Sequence, residues 1–357
     1  MSATPLDNPD FDGLIDAEKL SQWLDVNLPQ FGDGKLNGKL LAGGVSNAVF
    51  RLERGGEPFV LRRPPKVPRP DSIKIIGREA QILRALRDTD VPHPRFYAYC
   101  DDANVIGAPF YVMAMVDGWV GYEEGRPYPA PFDHGENHRL LPFALVDGIA
   151  KLANVDYLAV GLDGLGKPEG FLERQVARWS SLLASYRESE NYAGREIPGF
   201  QYAGDWLKAN TPSMSKVGII HGDYSLANAL FAWDTPPRLA AMIDWELGTI
   251  GDPLIDLGWV LYAYRGRDEK TPPSGYFDAS AFPYREELAE HYAAQTNLPI
   301  ENLTYFMVLA QYKLASIMER HYARGLTGRQ TRERGEDAGK FVLRLAAKAA
   351  EMARAAG

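Results

Sequence analysis

The sequence is poor in the residues that build covalent or zinc-bound frameworks. Cys100 is the single cysteine among 357 residues, which excludes an internal disulfide and a cysteine-based metal cluster. The six histidines form no HExxH pair, so the sequence offers no zinc-hydrolase motif. We therefore expect any bound metal ion to have oxygen ligands.

Positive charge and long apolar runs are also scarce. The chain has 39 Lys and Arg residues against 47 Asp and Glu residues, which gives a formal net charge of -8. Such a chain has no overall field that attracts nucleic acid or an anionic membrane surface, so we expect neither as a partner. The first residues lack a secretory pattern, and no apolar stretch is long enough to cross a bilayer. These features predict a cytoplasmic protein and leave its oligomeric state open.

What remains is the composition of a folded globular protein. Hydrophobic residues make up 45% of the chain and charged residues 24%. A chain of this length usually exceeds one hydrophobic core, so we expect two lobes.

The first third of the chain has the pattern of a small sheet with flanking helices. Apolar residues recur at helical spacing over 14–28, where Asp16 can cap the helix start, and again over 72–87. Short β-type segments, some joined by Gly-rich turns, lie between and after them. We predict an N-terminal lobe over 1–116, with two strands within 39–52 and further strands at 59–62 and 110–116.

The remainder, 117–357, is predicted to be a mainly helical lobe that follows a long loop over 121–138. A β-rich island interrupts the helices, and each of its segments ends beside polar residues. Its strands are predicted at 217–220, 229–233 and 239–243, among helices at 141–155, 168–190, 253–265, 284–294, 302–325 and 333–355.

The strongest chemical signal follows the first strand of this island. Asp223 lies three positions after its end, and Asn228 follows five positions later, leading into the next strand. A loop of this length can aim the carboxylate at a substrate hydroxyl while the amide oxygen faces a magnesium ion. With an ordinary pKa near 3.9, an exposed Asp is a weak base at neutral pH, so we expect it mainly to orient the hydroxyl.

A second carboxylate, Asp244, ends the last strand of the island. It can face the same metal ion that neutralises the β- and γ-phosphate oxygens of a nucleotide. Either aspartate alone can equally be a turn residue at a strand end, where Asp is common. The two motifs together, in this order, favour phosphoryl transfer.

The run HGDYSLANALF over 221–231, followed by IDWELGTIGDPLIDLGW over 243–259, resembles the aminoglycoside phosphotransferase and choline kinase-like family. The resemblance extends from about residue 35 to the C-terminal helices and implies an α+β, bilobal, protein-kinase-like fold. It also implies Asp223 as the catalytic group, with Asn228 and Asp244 as ligands of Mg2+. ATP, or alternatively GTP, is the implied co-substrate.

The nucleotide-binding half is less explicit. Small residues let the backbone N–H groups of a turn approach phosphates closely. This role fits the turn that contains Gly43, Gly44, Ser46 and Asn47. Gly-Gly turns also join strands in many proteins that bind no phosphate. By resemblance, Arg62 is the phosphate-binding cation of the third strand, where the family commonly has Lys. The planar guanidinium of Arg is not interchangeable with the ammonium of Lys, so the effect of Arg at this position on activity is left open.

Other positions in the same half follow from the resemblance alone. Glu79 is its implied partner of Arg62, and the backbone groups of Ala114 and Val116 are implied contacts of the adenine edge. Alternatively, Glu79 is a solvated carboxylate on a helix, and the segment that holds Ala114 is a buried strand without a binding role.

The acceptor is expected to be a small-molecule hydroxyl compound that binds among the C-terminal helices. The run LRRPP over 61–65 and the segment VPHP over 91–94 are closer to the kinase-like domains found joined to acyl-CoA dehydrogenases. That likeness favours a hydroxyacyl-CoA or hydroxy acid over an aminoglycoside, and other alcohols stay open. Two alternatives are a nucleotide-binding pseudokinase, suggested by Arg62 and the incomplete Gly-rich turn, and a magnesium-dependent phosphohydrolase.

Overall fold

The computed structural model describes residues 11, 13–43, 47–68, 70–269 and 277–357. Helix α1, Ala17–Asn27, begins where Asp16 accepts a hydrogen bond from the backbone N–H of Lys19, which confirms the predicted cap. The helix buries Leu20 and Leu24 against the first sheet.

This first sheet is antiparallel throughout, with the strand order β1-β2-β3-β5-β4 among the described strands. β4 is absent from the sequence prediction because only its two end residues, Phe96 and Cys100, are fully buried, so its sequence shows no clear alternation. The strands are β1 Asn37–Gly43, β2 Ala48–Arg54, β3 Glu57–Arg63, β4 Phe96–Cys100 and β5 Phe110–Ala114.

Helix α2, Pro70–Leu86, packs on β4 and β5. Its buried face contains Ile76, Ala80, Leu83 and Leu86, as the helical spacing predicts. These side chains belong to the same core cluster as the helices that follow in the chain, so α2 joins the sheet to the rest of the molecule. A single helical turn, α3, spans Ala103–Ile106.

The predicted β-rich island is two small antiparallel sheets rather than one. β8 pairs with β9 and with an unpredicted strand, β6, while β7 pairs with the unpredicted β10. β6 and β10 are too short to show a period in the sequence. The bounds are β6 Trp119–Val120, β7 Gly218–Ile220, β8 Ala229–Phe231, β9 Leu239–Met242 and β10 Thr249–Gly251.

Helices make up most of the remaining described chain. One of them, α6, is missing from the prediction, because Gly204 interrupts its helical pattern. That glycine lets Tyr312 approach closely, since a Cβ at this position would lie 3.0 Å from the Tyr312 hydroxyl. The helices are α4 Gly135–Asn154, α5 Glu173–Ser189, α6 Phe200–Ala209, α7 Leu254–Leu261, α8 Arg285–Thr296, α9 Leu303–Leu326 and α10 Arg332–Ala355.

The predicted α+β class is confirmed, with an antiparallel sheet first and a mainly helical part after it. The chain leaves the first sheet after Ala114 and enters β6 at Trp119. The lobe boundary between residues 116 and 117 stays a prediction. Among the described helices, each is too short or too polar to cross a membrane.

Candidate active site

The loop after β7 places Asp223 and Asn228 side by side. The Asn228 amide nitrogen donates to the Asp223 backbone carbonyl at 2.8 Å and to its Oδ2 at 3.2 Å. The Asp223 carboxylate is half-buried, and burial is the main reason its pKa rises to about 6. It is therefore a stronger base than the exposed Asp expected from the sequence.

Asp256 and His221 hold this loop. Asp256, buried in the first turn of α7, accepts hydrogen bonds from the backbone N–H groups of His221 at 2.6 Å and Gly222 at 2.8 Å. Burial lowers the pKa of His221 to about 4, so the ring is neutral. Its Nε2 lies 2.9 Å from the Ile243 carbonyl, and its Nδ1 accepts from the Asp223 N–H at 3.3 Å. Both residues support the loop through these hydrogen bonds.

We expect Asp256→Ala to lower the free energy of unfolding by about 2–5 kcal/mol, because two buried N–H groups lose their acceptor. The measurement is urea unfolding of the ligand-free chain. Asp205→Ala is the matched control, since Asp205 lies on the surface of α6, where it accepts from Gln201 and pairs with Lys208. Equal stability of the two variants would contradict the bracing role.

The register of β8 and β9 brings Asn228 and Asp244 to one end of their ladder. Ala229 pairs with Met242, and the N–H of Ile243 donates to the Asn228 carbonyl at 3.0 Å. Asp244 then adopts a left-handed backbone with φ 66°, a conformation that Asp tolerates better than most residues. Its carboxylate is 37% exposed and accepts a hydrogen bond from Arg62.

Arg62 of β3 links Asp244 to Glu79 of α2. Its Nη2 donates to Glu79 Oε1 at 2.8 Å and to Asp244 Oδ1 at 2.7 Å. Glu79 is fully buried and also accepts from the Tyr111 hydroxyl at 2.9 Å. Burial raises the pKa of Glu79 to about 7, against the attraction of the Arg62 guanidinium. The pairing of Arg62 with Glu79 is thus present, whereas the contact with Asp244 has no sequence signal.

The Gly-rich turn is only partly described. Gly44 and Ser46 lie outside the described residues, while Gly43 ends β1 and pairs with Ala48 of β2. Asn47 is buried, and its amide nitrogen lies 3.5 Å from Glu246 Oε2, two residues beyond Asp244. The phosphate-binding role of this turn stays a prediction.

The two residues expected at the adenine edge lie at and beyond the end of β5. The backbone N–H of Ala114 donates to the Arg95 carbonyl at 2.8 Å, so this donor is unavailable to a nucleotide. Val116 follows the last residue of the strand by two positions. Contact of either residue with adenine stays a prediction.

Lys313 of α9 contacts the loop that carries Asp223, and the sequence does not predict this contact. A helix with mixed charges predicts solvated side chains, but Lys313 and Glu319 of α9 are both buried. The Lys313 ammonium donates to the Gly222 carbonyl and lies 4.0 Å from the centre of the Trp259 ring. Burial lowers its pKa to about 8. Because Lys313 and Gly222 are 91 residues apart, no local sequence pattern predicts the contact.

The oxygen donors of the site fit a magnesium ion that is bound together with a nucleotide. In the described residues, no group of three or more His, Cys, Asp or Glu side chains could hold a metal ion alone. Nucleotide-bound magnesium takes most of its ligands from phosphates and water, so one carboxylate and one amide oxygen suffice. Asn228 uses its amide nitrogen on Asp223, which leaves its oxygen for a cation, and the Asp244 carboxylate is partly exposed.

The chain is similar in sequence and fold to known proteins. The model of the phosphotransferase enzyme family matches residues 37–291. The chicken acyl-CoA dehydrogenase family member 11 is 31% identical over 354 residues, which cover 95% of this chain and 44% of that protein. The chain thus spans less than half the length of this relative.

Two solved structures have a similar fold. A protein from Ralstonia eutropha, described only as a candidate aminoglycoside phosphotransferase, is 29% identical with a TM-score of 0.78, and the match covers 95% of this chain and 98% of that one. An aminoglycoside phosphotransferase in complex with AMP-PNP and hygromycin B is 11% identical with a TM-score of 0.56, covering 92% and 98%. The fold is therefore that of the kinase-like phosphotransferases, and the chain belongs to the phosphotransferase enzyme family.

Proposed function

We propose that the protein transfers the γ-phosphoryl group of ATP or GTP to a hydroxyl of a small molecule, with magnesium as cofactor. The observation that carries the proposal is the meeting of Asp223, Asn228 and Asp244 at the ends of β7, β8 and β9. Family membership supports phosphoryl transfer in general.

Asp223 is the proposed catalytic group. Its raised pKa, about 6, leaves the carboxylate mostly ionised at neutral pH and still makes it a better proton acceptor than an exposed Asp. Asn228 holds the carboxylate in one orientation through its amide nitrogen. The acceptor hydroxyl would donate to Asp223 as it attacks the γ-phosphorus, and the bond from this phosphorus to the β-phosphate oxygen would break, releasing the nucleoside diphosphate. The hydroxyl proton would pass to the carboxylate late in the reaction.

Asn228 and Asp244 are the proposed magnesium ligands. When bound, magnesium neutralises charge on the β- and γ-phosphate oxygens. Arg62 is the proposed contact of the α- and β-phosphates, and its hydrogen bond to Glu79 supports this role because it orients the guanidinium. The backbone of Gly43, Gly44, Ser46 and Asn47 is the proposed cover of the phosphates, and Ala114 and Val116 remain the proposed adenine contacts.

The relatives suggest the acceptor class. The chicken relative is named an acyl-CoA dehydrogenase family member, and this chain matches part of its length. We propose a hydroxyacyl-CoA or a hydroxy acid as acceptor in preference to an aminoglycoside. The test is nucleotide consumption by the whole chain with panels of hydroxyacyl thioesters, hydroxy acids and amino alcohols. Turnover with amino alcohols alone would contradict the acceptor class.

A nucleotide-binding pseudokinase is the second candidate, favoured by the hydrogen bond between Arg62 and Asp244. This bond occupies one oxygen of the proposed metal ligand. A magnesium-dependent increase in melting temperature with ATP, without nucleotide consumption over the whole acceptor panel, would favour this candidate over the enzyme.

A further inference from the structure

A small cavity lies beside the catalytic loop, between α5, α7 and α9. Its volume is about 30 Å³, room for roughly two water-sized groups, which is the size of a carboxylate. Its walls are mainly aromatic and aliphatic, and they include Phe171, Trp179, Leu247, Trp259, Phe306 and Lys313.

Lys313 is the buried cation of this cavity, with only 6% of its surface exposed. An ammonium has three donors, and the described residues supply one acceptor, the Gly222 carbonyl, together with the faces of Trp259 and Trp179. No carboxylate of the described residues lies within ion-pair distance. A buried ammonium without a counter-ion is costly, so the site favours an anion.

The carboxylates near Lys313 are already engaged elsewhere. Asp256 accepts from two backbone N–H groups of the catalytic loop, and Asp223 accepts from Asn228. Both attract the ammonium electrostatically from other elements without contacting it. Two donors of Lys313 are therefore left for a group in the cavity.

Two arginines add positive charge at the same place. Arg178 of α5 borders the cavity, is exposed, and lies 4.7 Å from the centre of the Trp179 ring. Arg78 of α2 donates to the carbonyl of Gly248, which lies between two cavity-lining residues. Neither arginine forms an ion pair with a carboxylate of the described chain. Both arginines are exposed and screened by solvent, so Lys313 is the one buried cation that needs a counter-ion here.

We propose that this cavity binds the carboxylate of a small organic acid, with Lys313 as the buried counter-ion and Arg178 at the entrance. One buried ammonium balances one negative charge, which favours a carboxylate over a phosphate dianion. A volume of about 30 Å³ holds the carboxylate alone, so an attached carbon chain must extend out of the cavity, past its aromatic walls. The carboxylate can belong to the hydroxyl acceptor, in which case the site rests on the proposed function, or to a separate acid that regulates the enzyme.

Calorimetric titration of butyrate into the whole chain, without nucleotide or magnesium, tests the binding site. We expect binding that weakens by at least about 30-fold in Lys313→Met, because a buried charge loses its partner, and by about 2- to 5-fold in Arg178→Gln at the rim. Arg187→Gln is the matched control, an exposed arginine nine residues further along α5, and should bind butyrate unchanged. Lys313→Arg changes the side-chain shape but keeps the positive charge, so comparing it with Lys313→Met distinguishes loss of charge from a packing defect.

Several results would overturn the site. They are no heat with butyrate, equal affinity in Lys313→Met and the unmodified chain, or binding of inorganic phosphate in place of butyrate. Because the titration needs no catalysis, failure of the proposed phosphoryl transfer leaves it unaffected. A thermal-stability check of Lys313→Met confirms that the variant folds, as expected for a long apolar side chain at this buried position.

A second arm distinguishes the two sources of the carboxylate. Hydroxybutyrate isomers that are consumed with nucleotide, with a KM raised in Arg178→Gln, identify the acid as the acceptor. Butyrate that changes the turnover of a different acceptor without being consumed identifies it as an effector. Either outcome supports the site. Turnover that responds to neither hydroxybutyrate nor butyrate, at concentrations that saturate binding in the titration, would contradict a role of the cavity in the reaction.

Discussion

We expect Asp223→Asn to lower kcat by about 10²- to 10⁴-fold while nucleotide binding persists, since the variant keeps the side-chain shape and removes the proton acceptor. The hydrogen bond from Asn228 to the Asp223 backbone carbonyl does not depend on the carboxylate, so the loop should keep its conformation. The measurements are steady-state turnover with an established acceptor and the increase in melting temperature caused by nucleotide with magnesium.

The matched control is Asp205→Asn, which makes the same chemical change on the exposed face of α6. It should leave kcat and the nucleotide-dependent melting temperature unchanged. Turnover of Asp223→Asn within a factor of two of the unmodified chain would remove Asp223 from the mechanism. Loss of both turnover and nucleotide binding would instead indicate that the loop has rearranged.

The second large effect is expected at Asp244. A ligand present at 100 times its dissociation constant stabilises the folded state by about 2.7 kcal/mol, and the part that needs magnesium should vanish when a metal ligand is removed. Asp244→Ala and Asp244→Asn should therefore show the same nucleotide-dependent melting temperature with magnesium as with EDTA. Two variants are needed because Ala at φ 66° adds backbone strain of about 1–2 kcal/mol, which Asn largely avoids.

Asp234→Asn serves as the control, because Asp234 is an exposed carboxylate that pairs with Arg238 on the surface. A full magnesium-dependent increase in melting temperature in both Asp244 variants would show that the metal ion is held elsewhere. Arg62 loses one acceptor in Asp244→Ala, so the magnesium-free melting temperature of each variant must be recorded as its own baseline.

The sequence predicts the parts of the site that are local in the chain. Asp223, Asn228 and Asp244 each flank a short apolar strand, so their placement at strand ends follows from neighbouring residues. The contact between Arg62 and Asp244 joins residues 182 apart, and the contact between Lys313 and Gly222 joins residues 91 apart. Such contacts depend on tertiary packing and have no local signature.

The same distinction holds for the secondary structure. Helices with continuous apolar faces, such as α2 and α10, are predicted to within a few residues. α6 is missed because Gly204 has low helix propensity, while the close approach of Tyr312 at this position is a tertiary contact without a local signal. β6 and β10 contain two and three residues, and only their partners in the folded chain define them.

Gly222 meets the turn after Asp244 backbone to backbone, since a Cβ on it would lie 2.7 Å from the Leu247 carbonyl oxygen. The next residue in that turn, Gly248, contacts α2 through Ile82 and the Arg78 hydrogen bond. Gly222 has no side chain to yield at the turn, and two α2 side chains hold Gly248, so we expect a rotation of α2 relative to the helical part to displace the turn and, with it, the loop that carries Asp223. Movement of α2 on nucleotide binding would then also move Asp223 toward the acceptor. Larger residues at Gly222 or Gly248 would prevent this coupled movement.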